Sequence, residues 1–262
     1  MTRSNTLGAG LLLLSHKAVH AAKKLTFLPK LGKVGLLLLV CAAIVGGFLW
    51  LPPVKAFVSP ELARIAVFHI PCSIVGSIAT AVGVWFALRF LRFRDLRDDV
   101  KSSVSLALAL LLWCLTTVTG AVFAKAEWGA YWSWDIKQIS IVMLLLIYLA
   151  YFALRAAVDD TRKRATVSAA YTLFALVAVP FLTLVLPNST PNTLHPKNTV
   201  FSAEYWIVLG AFSLGLTLIY AWAYHLHVSL ELMQMKLDKR ARGFLRKRTP
   251  VAAPVVIVKA RP

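Results

Sequence analysis

The chain has 262 residues, 59% of them hydrophobic and only 15% charged, with a formal net charge of +18. Soluble domains carry about 45–50% apolar and about 25% charged residues, and here the charges gather between long apolar runs. Composition therefore excludes an ordinary soluble domain. The basic surplus has a topological explanation, given below, so it gives no reason to invoke nucleic acid.

A helix needs about 20 mostly apolar residues to cross a bilayer. Six such runs are predicted, over 34–51, 65–91, 104–123, 139–154, 167–186 and 205–226, each ended by charge or proline. Backbone groups in hydrocarbon must be satisfied within their own segment, so runs this long are helices. The expected fold is an all-α polytopic membrane bundle of about six transmembrane helices. It divides into a basic N-terminal tail (1–33), the bundle (34–228) and a basic C-terminal tail (229–262).

Lys and Arg concentrate on the cytoplasmic side of a membrane protein. Here they crowd into the N-terminal tail, the connections between spans two and three and between spans four and five, and the C-terminal tail. Only Lys55, Arg64, Lys125, Lys137 and Lys197 are left for the other face. Both termini are thus expected to be cytoplasmic, with attraction to anionic lipid as a consequence. Ahead of Glu61, the first acidic residue, the chain is basic. Transit peptides share that feature; a cytoplasmic tail with an interfacial helix around 7–25 explains it equally well. Cys41, Cys72 and Cys114 lie in apolar runs, where cysteine acts as a small apolar side chain, so neither a disulfide nor a zinc site is expected. No phosphate-binding G-x-x-x-x-G-K-[ST] run occurs.

Three connections face outward. The second, 124–138, reads A-K-A-E-W-G-A-Y-W-S-W-D-I-K-Q and packs Trp128, Tyr131, Trp132 and Trp134 beside Gly129 and Asp135. An aromatic belt at the headgroups accounts for one or two such residues per span end. Four in one short loop are better explained as a flat surface for stacking a planar ligand. His69 stands near the outward end of the second span, two residues before Pro71, a proline tolerated in a first helical turn. An ionisable residue inside a span is a functional hypothesis by default, although a satisfied structural histidine is the alternative. His195, in the third outward connection (187–203), precedes Pro196 and so has an extended backbone. Topology brings both histidines and the aromatic loop to one face. That combination suits a planar metallomacrocycle ligated from both sides by imidazole. Arg64 and Lys137 are placed either to meet its carboxylates or simply to snorkel to the interface. Without a C-x-x-C-H motif, such a haem is held without thioether bonds.

At these residues the chain resembles the CcmC family of cytochrome c maturation proteins, in the haem-handling superfamily named for its WWD domain. The matching pieces are W-G-A-Y-W-S-W-D at Trp128 to Asp135, R-I-A-V-F-H-I-P at Arg64 to Pro71 and N-T-L-H-P at Asn192 to Pro196. With the order of spans, the likeness covers most of 65–226. It implies a six-span inner-membrane protein, bacterial before mitochondrial, that is not an enzyme and presents haem b on its periplasmic side. His69 and His195 would be the axial ligands. Trp128, Gly129, Tyr131, Trp132, Trp134 and Asp135 would form the platform, and Arg64 and Lys137 would meet the propionates. The family passes haem to the periplasmic chaperone CcmE, beside CcmA, CcmB and CcmD. Tyr131 stands where many members have tryptophan, and Gln138 follows the Asp-Ile-Lys run. The alternatives are a component of a CcsA-type haem–cytochrome c synthase, disfavoured because no second intramembrane histidine pair is evident, and a membrane subunit that handles no haem.

Overall fold

The computed structural model describes residues 29–55, 57–191, 193–195 and 201–248. Among these the regular structure is all helical, and six helices are long and apolar enough to cross a membrane. They are α1 (Lys30–Leu49), α2 (Ala66–Phe93), α3 (Leu96–Trp128), α4 (Ile136–Ala156), α5 (Thr161–Pro180) and α6 (Ala203–Arg248). All six expected spans are present, and most extend beyond their apolar cores. Hydropathy reads only the part of a helix that lies in hydrocarbon, whereas α3 starts at Leu96 and α6 continues to Arg248. The interfacial helix expected around 7–25 lies outside the described residues.

Helices in lipid gain close approach through small residues. At Gly215 of α6, an added Cβ would come within 2.9 Å of Val40 on α1, and at Gly83 of α2 within 2.7 Å of Leu106 on α3. The α2–α3 connection, expected over 92–103, is a tight turn. Arg94 takes the left-handed conformation (φ 57°), and Asp95 caps α3 by accepting the Arg97 N–H at 2.9 Å.

The basic end of the bundle is cross-linked by buried charge. Asp98 and Asp99 occupy the first turn of α3, where the helix dipole favours anions. Asp99 accepts two bonds from the Arg155 guanidinium of α4, at 2.6 and 3.1 Å, while Asp98 meets Arg89 of α2 at 3.3 Å and Lys101 at 3.5 Å. Deeper in the core, Tyr148 of α4 pairs with Thr80 of α2, and Tyr220 of α6 pairs with Ser105 of α3 at 2.7 Å. These bonds satisfy polar groups that hydrocarbon would otherwise leave unpaired.

Past Pro180, the fifth span continues through a π-helical segment, Phe181–Val185, and a closing turn, Leu186–Ser189. The cause is local. Neither Pro180 nor Pro187 has an N–H for the usual ladder, and between them Leu186 donates five residues back, to the Phe181 carbonyl. The widened turn lies beside the cavity described next.

Candidate functional site

At the end opposite the ion pairs lies a cavity of about 500 Å³, within the range of about 300–1,000 Å³ common for ligand sites. His69, Ser73 and Ser77 of α2, Trp113, Thr116 and Gly120 of α3, Lys137, Gln138 and Ser140 of α4, and Leu182 to Leu184 of the π segment line it, along with His195. Both sequence-predicted histidines therefore face one space.

His69 belongs to a helix that opens with a 3-10 turn, Leu62–Ile65, so Pro71 lies inside α2 rather than in its first turn as expected. The histidine's Nδ1 lies 3.1 Å from the Thr119 hydroxyl, and that hydroxyl lies 2.7 Å from the Leu115 carbonyl. Thr119 has one proton, and the shorter contact, to an acceptor-only carbonyl, takes it. The network then assigns Thr119 Oγ1 as acceptor and His69 Nδ1–H as donor, leaving Nε2 with its lone pair. Gly120 makes room for the ring, since a Cβ there would come within 2.8 Å of His69 Cε1.

His195 is held differently. Its Nδ1 lies 2.8 Å from Asp135 Oδ2, and its ring meets Trp128 edge-on at 4.9 Å between centroids. Asp135 is buried, caps α4 through the Lys137 N–H at 3.1 Å, and accepts the Thr193 hydroxyl at 2.9 Å and the Leu194 N–H at 2.8 Å. Burial alone would raise this carboxyl, but the bonds from Leu194, Thr193, Lys137 and His195 prevail and hold it below the ordinary carboxylate range. Burial lowers His195, the Lys137 charge lowers it further, and the Asp135 carboxylate only partly opposes them. The imidazole is thus neutral at pH 7, with Nδ1–H donated to the carboxylate and Nε2 left as a lone-pair donor.

The aromatic motif divides by role. Trp128 is the last residue of α3, not a loop residue, and Gly129 ends that helix in the left-handed conformation (φ 77°). Trp132 lines the cavity, whereas Tyr131 and Trp134 are 61% and 74% exposed. Trp134 adopts φ 56°, uncommon for a bulky residue, as the chain turns to send Asp135 inward. Gln138, buried in the first turn of α4, accepts the Ser133 N–H at 2.8 Å and donates to the Tyr131 carbonyl at 3.4 Å, which stitches the loop. Arg64 is engaged elsewhere. It caps the end of α1 by donating to the Leu51 and Phe48 carbonyls at 3.0 and 3.1 Å, and pairs with Glu61 at 2.9 Å. It is not among the residues lining the cavity.

Thr119, Gly120 and the acceptor role of Asp135 were missed in the sequence. A T-T-V-T-G run inside a span was the available signal, because small residues there mark close approach.

Six helices long and apolar enough to cross a membrane, with two imidazoles on one terminal cavity, define a polytopic helical membrane protein. The chain belongs to the heme exporter protein C family, whose model matches residues 13–249. It is 28% identical over 137 residues to heme exporter protein C of Bradyrhizobium diazoefficiens, covering 52% of this chain and 51% of that one. Over 212 residues it is 23% identical to heme exporter protein C of Paracoccus denitrificans, covering 77% and 83%. Over 142 residues it is 28% identical to that of Escherichia coli, covering 52% and 55%. The matched stretch thus spans about half the length of the Bradyrhizobium and Escherichia relatives.

Proposed function

We propose that this chain holds haem b non-covalently between His69 and His195 at the periplasmic face of the bacterial inner membrane. From there it delivers the haem to the periplasmic chaperone CcmE for cytochrome c maturation, beside CcmA, CcmB and CcmD. It acts as a holder and transferer and makes no covalent bond to its cargo.

The observation that carries this reading is the pairing of the two imidazoles. Each has Nδ1 engaged by the protein, each keeps Nε2, and both face one mainly apolar cavity. Among the described residues no group of three or more His, Cys, Asp or Glu is placed to hold a bare ion. Two imidazoles instead fill the axial positions of a metal whose other four ligands come from a macrocycle. Trp128 packs against His195, Trp132 lines the cavity, and Lys137, on the cavity wall, supplies the positive charge that a propionate needs. Transfer requires one imidazole to leave. His195 is the one on a loop, while His69 is fixed within α2.

Absorption spectra of the purified protein, oxidised and reduced, test the reading. Wild type is expected to show low-spin bis-imidazole bands, and His69→Ala or His195→Ala to alter or lose them. Spectra indifferent to both substitutions would refute the assignment.

A further inference from the structure

Three hydrogen-bond donors and one imidazole nitrogen converge on one carboxylate. Asp135 Oδ1 receives the Thr193 hydroxyl at 2.9 Å and the Leu194 N–H at 2.8 Å; Oδ2 receives His195 Nδ1 at 2.8 Å and the Lys137 N–H at 3.1 Å. Three of the four come from the short arm that carries His195, and the fourth is the start of α4. Two of the donors are backbone N–H groups, one on each oxygen, and neither has any acceptor capacity. An asparagine amide turned either way sets its NH₂ against one of them. A carboxyl group can accept from all three fixed donors and still face the ring nitrogen, which an amide cannot.

We propose that Asp135 is the positioning residue of the site: a clasp that ties the His195 arm to the W-S-W-D loop, fixes His195 as its Nδ1–H tautomer, and makes its Nε2 the more electron-rich of the two axial donors. This rests on the haem reading given above. The asymmetry follows from the acceptors. His195 donates to a charged carboxylate, whereas His69 donates to the neutral Thr119 hydroxyl. A carboxylate behind a metal-bound imidazole orients the ring and raises its basicity, and loss of such a partner typically costs about 10–100-fold in metal affinity. Asp135 acts through His195 and stays buried behind it, although the motif it ends is aromatic and reads as a single stacking surface.

The test uses the full chain in lipid nanodiscs. In haem-free wild type, [15N]histidine spectra are expected to show His195 protonated at Nδ1; protonation at Nε2 overturns the clasp without any variant having to fold. In haem titrations, Asp135→Asn is expected to weaken retention by about 10–100-fold and to raise the midpoint potential of the iron. In a His195→Ala background, the same change is expected to add nothing further, since a residue acting through the imidazole has nothing left to act on. If Asp135→Asn matches wild type in retention and potential while His195→Ala loses the haem bands, the clasp fails and the haem reading stands. If neither histidine substitution touches the bands, the haem reading fails, and the tautomer measurement still decides whether the clasp exists.

Discussion

Gly120→Ala separates a packing effect at the site from a loss of ligand. The new Cβ would be built 2.8 Å from His69 Cε1, 3.3 Å from Nδ1 and 3.7 Å from Nε2. Carbon–carbon contacts settle at about 3.5–4.0 Å, so the ring must retreat by about 0.7–1.2 Å. It is the ring that yields, because Gly120 lies within the continuous helix α3. Overpacking of this kind costs about 1–3 kcal/mol. If the strain is relieved by moving the ligand, the cost appears in haem binding, where it amounts to about 5–150-fold. The assay is a haem titration followed by absorbance, alongside thermal unfolding of the haem-free protein. Gly129→Ala is the control. Its Cβ would meet nothing within 4 Å, but φ is 77°, so about 1–2 kcal/mol of backbone strain falls on stability instead. Haem affinity within two-fold of wild type in Gly120→Ala would refute the reasoning, because His69 would then have no fixed seat against α3.

Two further outcomes are expected. Arg64→Ala removes the donor to the Leu51 and Phe48 carbonyls and should lower the melting temperature while leaving the haem bands in place; bands lost at unchanged stability would return Arg64 to the propionates. Arg155→Ala leaves Asp99 buried without its partner, a change worth about 3–5 kcal/mol. Unfolding should fall accordingly in denaturant titrations, with Asp99→Asn in the same chain recovering part of the loss, and equal stability of wild type and Arg155→Ala would show that the pair is idle.

The spans were legible because a run of about 20 apolar residues has one structural solution in a bilayer. Their ends were not, since Asp98, Asp99 and Lys101 continue α3 in mutual pairing with Arg89 and Arg155, and pairing across helices leaves no local trace. His69 and His195 were legible as a pair through topology. Their seats were not. Thr119 and Gly120 read as ordinary packing, and Asp135 reads as one more letter of an aromatic motif until the third connection folds over it. For Arg64, proximity to His69 in sequence suggested the ligand, whereas its acceptors are carbonyls at the end of α1, a group every helix end exposes and no side chain announces. The π segment left a faint mark in Pro180 and Pro187.

The buried ion pairs fasten α3 to α2 and α4 at one end, and the histidine cavity lies at the other. Asp99 and Gly120 stand about 30 Å apart along one continuous helix. Substitutions in the ion pairs and at the histidines are therefore remote enough for their effects to add.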